Sequence, residues 1–234
     1  MKSSAARLAA ASGAFYVVAV GVGNELDLSG SGEYTDDGAG ALAFLQRDLG
    51  VVNVAGLVLV MLGFAAFVVF LGYLHTTLRR FEGPEGWVAS TAFGAGLLSV
   101  AVKVGSIAPI VAGTYRKDEL TPDVAQILVD LNGAAFVVFG LLFGLFVTAT
   151  SIGCLAHRMA PRWLGWPGVV IGLAAFVAGL AGILAPDRYN PLAFVGGLAW
   201  TLVLSIVLTA RRPRTGESGG SRTTAERTDL AGTV

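Results

Sequence analysis

A single cysteine, Cys154, in a chain of 234 residues rules out an intramolecular disulfide and a cysteine-rich metal site. Its predicted place near a helix end fits a small apolar residue, with lipidation the alternative. Charge is scarce: Asp, Glu, Lys and Arg make up 14% of the chain, against about 25% in an ordinary soluble domain. The 16 basic and 16 acidic residues cancel, so the chain lacks the excess basic charge that a nucleic-acid partner requires. There are two histidines, His75 and His157. Both are expected at helix ends beside arginines, where an imidazole meets the negative end of the helix dipole. No second ligand set accompanies them, so neither haem nor metal is read from them and no cofactor is expected. Phosphate-loop, zinc and nucleophile-elbow motifs are missing. An enzyme is left only through a dispersed site, and the reading leans away from one.

What fills the chain instead is apolar: 54% of the residues are hydrophobic, gathered into long runs separated by short charged clusters. A run of about 20 apolar residues crosses the hydrocarbon layer of a bilayer as a helix. Residues 5–23, 49–74, 87–115, 124–155, 163–185 and 192–210 meet or approach that length. The expected fold is therefore all-α, a polytopic bundle of six transmembrane helices in one domain over residues 1–210. The first run follows Lys2 and Arg7 and can also be read as a signal peptide. It is kept as a span because no small-x-small cleavage site stands out before Asn24. Residues 40–49 fit a short interfacial helix. The tail, residues 211–234, is rich in Gly, Ser, Thr and charge and reads as disordered.

Orientation follows from the cations. Eleven lie on one side: Lys2, Arg7, Arg79, Arg80, Arg158, Arg162, Arg211, Arg212, Arg214, Arg222 and Arg227. Arg47, Arg116, Lys117 and Arg188 lie on the other, with Lys103 inside a span. The excess predicts both termini in the cytoplasm and residence in a bacterial inner membrane. Glu25, Asp27, Glu33, Asp36 and Asp37 give the first outer loop an acidic character in keeping with this. Trp87, Tyr115, Trp163, Trp166 and Tyr189 fall at span ends, where amphipathic rings anchor.

Lipid tails are as apolar as leucine, so spans associate through close packing and polar contacts. Small residues at helical spacing mark where backbones can approach. In the fifth span Gly165, Gly168, Gly172, Ala175, Gly179 and Gly182 share one face. Ala89, Ala92, Gly96, Ser99, Lys103 and Ser106 form a stripe in the third span. Gln126, Asp130, Gly133, Val137, Gly140 and Gly144 form another in the fourth. A shift of 82 residues sets Asp48-Leu49 on Asp130-Leu131, His75 on His157, and Arg79-Arg80-Phe81 on Pro161-Arg162-Trp163. That suggests a parallel duplication of a helical hairpin.

Lys103 and Asp130 are the charges best placed to lie inside spans. They are read as a pair, with Asn53, Gln126, Asn132 and Ser106 completing a polar pocket in the outer half of the bundle. Such a pair either binds a proton or solute or fixes helix register. Finally, Met159-Ala160-Pro161-Arg162-Trp163-Leu164-Gly165-Trp166 resembles a motif of an uncharacterised bacterial family of multi-pass membrane proteins. The likeness runs loosely over residues 5–210 and includes Tyr73-Leu74 and Trp200. It implies fold and membrane location and is silent on activity.

Three roles are compatible with these observations. The first is a small-solute or proton-coupled permease built on Lys103 and Asp130. The second is an accessory subunit that binds a membrane partner, or another copy of itself, through its glycine faces. The third is a lipid-acting membrane enzyme. The bilayer itself is the one partner all three share.

Overall fold

The computed structural model describes residues 2–29, 37–83, 85–185 and 190–210. Glu33 and Asp36 of the acidic loop, Arg188, Tyr189 and the tail from Arg211 onward lie outside them. The described chain is helical: α1 (Lys2–Leu28), α2 (Gly38–Gln46), α3 (Val51–Glu82), α4 (Trp87–Gly105), α5 (Ile107–Tyr115), α6 (Pro122–His157), α7 (Arg162–Leu184) and α8 (Leu192–Ala210). Six helices are long and apolar enough to cross a membrane, with α4 and α5 together as the third. No strand occurs among the described residues. The protein is a helical bundle of the polytopic membrane class.

Several spans outrun their predicted bounds. At a rise of 1.5 Å per residue, α3 is about 48 Å long and α6 about 54 Å, against a hydrocarbon layer of about 30 Å. Turn chemistry, not hydropathy, ends these helices. Thr121 caps α6 by accepting the N–H of Val124, with Pro122 at the first helical position. Gly83, at φ 77°, closes α3 in a conformation that only glycine adopts without cost.

The third span is broken. Gly105 ends α4, Ser106 is a single turn residue, and a second segment, α5, begins at Ile107. Pro109 contributes to the break, because it has no N–H for the carbonyl of Gly105.

Two glycine crossings set the architecture. α1 packs chiefly on α3, and α6 on α7. A Cβ added to Gly56 would lie 2.6 Å from the carbonyl oxygen of Gly23, and one on Gly144 would lie 2.7 Å from that of Gly172. At each crossing the two backbones touch, leaving no room for a side chain. Gly165, Gly168, Gly172, Ala175, Gly179 and Gly182 are all buried, and Gly179 rests on Leu141 of α6. α4 lies between α3 and α6 with Ala89, Ala92, Gly96 and Ser99 buried. Of the α6 stripe, Gly140 and Gly144 are buried, whereas Gly133 faces open space.

An aromatic cluster fills the centre. Tyr16 stacks on Phe67 at 4.3 Å, Phe67 meets Phe146 edge-on at 5.3 Å, and Phe143 meets Phe194 at 5.4 Å. Such offset and edge contacts are the arrangements that ring quadrupoles favour. Trp200 belongs to this interior, donating its indole N–H to the carbonyl of Leu164 at 2.8 Å. Trp87, Trp163, Trp166 and Tyr115 are exposed at helix ends. α8 is tied to α1 in an unusual way. The hydroxyl of Ser205 accepts the N–H of Ala14 at 2.8 Å and donates to the carbonyl of Ala10, so it bridges two backbone groups one turn apart in α1.

A smaller second core lies at the other end from the basic turns. Ala41 and Leu45 of α2 and Ala125 of α6 are its buried centre, with Ile110, Leu120 and Leu128 around them. We call α2, α5 and the first turns of α6 the cap.

Candidate functional site

The fold brings the predicted polar residues together in a different grouping from the one expected. The Nζ of Lys103 donates to Oδ1 of Asn132 at 3.3 Å and lies 5.5 Å from the centre of the Phe136 ring. Asn132 in turn donates to the carbonyl and the hydroxyl of Ser106 at 3.0 and 3.2 Å. The Ser106 hydroxyl closes the network on the carbonyl of Lys103 at 2.7 Å. Lys103, Ser106 and Asn132 are thus one cluster, and it braces the break between α4 and α5 against α6.

Asp130 stands apart from it. Its carboxylate accepts from Gln126 at 2.8 Å one turn earlier on the same helix, and it is exposed. The ion pairs among the described residues are Arg47–Asp27, Arg116–Glu119 and Lys117–Asp48, so Lys103 and Asp130 do not pair. The reason is angular. Residues two apart on an α-helix point about 200° away from each other. The face that offers Asn132 and Phe136 to Lys103 therefore turns Asp130 outward. Depth matters as well. Measured from His157, Asp130 is about 40 Å along α6, more than the thickness of the hydrocarbon layer.

Asn53 likewise belongs elsewhere. Its amide nitrogen reaches the carbonyls of Leu26, Asp27 and Ser29 at 3.3, 2.8 and 3.0 Å, and its oxygen accepts the N–H of Gly50 at 3.0 Å. The carbonyls at the end of a helix have no partner within it. Asn53 supplies one for the end of α1 and caps the start of α3 at the same time. It is a clasp between the two helices.

The residues that do line a cavity went unnoticed in the sequence. A partly open pocket of about 240 Å³ lies between the cap and the nearby ends of α1 and α3. Its walls are mainly apolar, with Leu45, Leu57, Ile110 and Val111 among them, and Asp27 and Arg47 are its charged members. Nη2 of Arg47 donates to Oδ1 of Asp27 at 3.0 Å, both side chains being only 18% exposed. The guanidinium lies 3.9 Å from the centre of the Phe44 ring. Its Nε and Nη1 are buried without a hydrogen-bond partner. Unmet donors on a buried cation are costly, which marks the pocket as the least satisfied charged site among the described residues. Placing the end of the first span at residue 23 left Asp27 in a loop and hid this pairing. The signal available was an acid and a base flanking a short amphipathic segment.

The histidines contact aromatic rings at the basic end. His75 is 5.2 Å from Phe93, and His157 stacks on Phe81 at 6.1 Å. No group of three or more His, Cys, Asp or Glu residues that could hold a metal occurs among the described residues. Cys154 is buried in the main core. Together, fold and site define a helical membrane bundle with a capped, mostly apolar pocket. No family model, curated protein or solved structure matches the chain.

Proposed function

We propose that this chain is a multi-pass membrane protein that binds an apolar or amphiphilic small molecule in the pocket beneath its cap. The observation that carries the reading is the mainly apolar cavity bounded by Leu45, Leu57, Ile110 and Val111, with a single ion pair in its wall. Clefts of this kind, apolar with a few placed polar groups, are the usual form of a small-molecule site. The test is titration with decanol of protein held in lipid nanodiscs, using empty nanodiscs as the blank. Leu57→Trp, which fills the cavity, should abolish saturable binding while the helical content stays unchanged. Equal binding by both proteins would sink the proposal.

A second reading, a proton- or solute-coupled permease, is favoured by one feature: the third span breaks at Ser106 beside Lys103. Broken spans at membrane depth are often where transporters hold their cargo. Here Lys103 would act with Asn132 and Ser106, and Asp130 would have no part. Lys103→Met should then abolish flux in proteoliposomes, whereas Asp130→Asn should leave it intact. The accessory-subunit reading has less support, because the α7 glycine face is already filled by α6.

For location we propose the bacterial inner membrane with both termini in the cytoplasm. The basic ends of α3 and α6 meet through Phe81 and His157, which gathers Arg79, Arg80, Arg158 and Arg162 at one end of the bundle. Such an excess of cations is retained on the cytoplasmic side. Reporter fusions after Val234 and at Gly38 should report opposite compartments, and a periplasmic signal from the first would overturn the orientation.

A further inference from the structure

The pocket carries more information than its shape. Resting on the small-molecule reading above, we infer that its ligand is a single-tailed amphiphile with an anionic oxygen head, and that Arg47 is the residue that receives the head. A guanidinium offers five N–H donors in a planar fork suited to carboxylate and phosphate oxygens. Asp27 engages Nη2 through one oxygen, leaving Nε and Nη1 enclosed with nothing to bond. Phe44 covers one face of the group and both nitrogens are closed off, so an acceptor must part the neighbouring side chains to reach the guanidinium edge.

The sign of the ligand follows from these donors. A cationic head would bring further positive charge against Arg47 and satisfy neither N–H. A neutral hydroxyl can accept, but without the strengthening that an ionised acceptor supplies. An anionic head does both, joining Asp27 in flanking one guanidinium. The tail finds Leu45, Leu57, Ile110 and Val111. The cations that follow α5, Arg116 and Lys117, are already engaged, with Glu119 and Asp48.

The experiment uses the full chain in phosphatidylcholine nanodiscs and four ten-carbon probes: decanoate, decyl phosphate, decanol and decylammonium. Titration calorimetry is read against empty nanodiscs. At least one of the two anions should bind about tenfold or more tightly than decanol, the scale of one added charge-assisted hydrogen bond. Decylammonium should bind most weakly. A preference for decanoate over decyl phosphate identifies a carboxylate head, and the reverse identifies a phosphate. Arg47→Met should bring the anions down to the level of decanol. Should that variant fail to fold, Asp27→Asn provides the second arm: with the competing carboxylate gone, anion affinity should rise about threefold or more. Equal binding of decanol and both anions would overturn the anionic assignment while leaving the pocket reading intact. Unchanged anion affinity in Asp27→Asn would overturn it too. Failure of all four probes to bind would remove both.

Discussion

The two ends of this molecule are held together by different physics. Around the α1–α3 and α6–α7 crossings, helices meet through glycine, with backbone against backbone and few polar groups. In the cap, short helices are held by a small core, ion pairs and side-chain clasps on helix ends. Burial of apolar surface drives packing wherever water is the competing solvent. Inside hydrocarbon that driving force is absent between helices, and close contact has to replace it. Glycine is costly in a water-exposed helix, yet at these crossings it is the residue that permits association.

The largest expected effect tests the crossings. Gly23→Leu and Gly21→Leu differ by two positions on α1 and should differ widely in outcome. A side chain at position 23 would run into the α3 backbone at Gly56, whereas position 21 faces open space. We expect a loss of about 3 kcal/mol or more for the first and a change within about 0.5 kcal/mol for the second. Thermal unfolding in detergent measures both, and equal midpoints would end the packing account. Gly172→Leu on α7 should behave like Gly23→Leu.

A smaller effect tests the junction of the two regions. Asn53→Ala removes the amide from the carbonyls of Asp27 and Ser29 and the acceptor of the Gly50 N–H, while Leu26 keeps its bonds from Ser29, and should cost about 2 kcal/mol. Hydrogen exchange should increase first at the end of α1, because that is where the freed carbonyls are. Exchange that increases uniformly along the bundle would show that the clasp is not local.

Lys103 gives a subtler contrast. A double-mutant cycle between Lys103→Met and Asn132→Ala should show coupling of about 0.6 kcal/mol, the usual size for a polar contact between membrane helices. The same cycle between Lys103→Met and Asp130→Asn should be additive, since the two side chains have no shared partner. Coupling in the second cycle would restore the pair read from the sequence. The smallest effect is expected at Asp48, which is fully exposed although it pairs with Lys117 at 3.3 Å. Asp48→Asn should leave the unfolding midpoint unchanged, as most surface pairs do. A clear drop would mean that the cap depends on surface charge.

What could be read from the sequence divides along the same line. The six spans were visible because twenty apolar residues in a row have few other uses. The α7 face that the structure sets against α6 stood out as six small residues in register. By contrast, the ends of the long helices were hidden, because capping residues rather than hydropathy decide them. The break at Ser106 had a signal in Gly105 and Pro109, but it lay inside an unbroken apolar run. For the site, Lys103 and Asp130 were matched by depth along their helices without regard to angle, and it is the angle that places Asn132 opposite Lys103. Asp27 and Arg47 were missed because their meeting depends on how α2 folds back, a long-range event with no local pattern. The Gly23–Gly56 crossing gives a weaker signal, since neither glycine belongs to a small-residue series as dense as that of α7.

The hydroxyl of Ser205 on the backbone of α1 carries a consequence for how the protein is made. Two backbone groups of the first helix, the N–H of Ala14 and the carbonyl of Ala10, bond a hydroxyl 191 positions beyond Ala14. At a synthesis rate of 5–20 residues per second, roughly 10–40 s separate the emergence of the two. During that time the N–H of Ala14 and the carbonyl of Ala10 have only each other, as in any α-helix. Arrival of the last helix adds the bridge. A chain stopped before Ser205 lacks that bridge, and α1 and α8 are joined by a contact that no earlier stage of synthesis can supply.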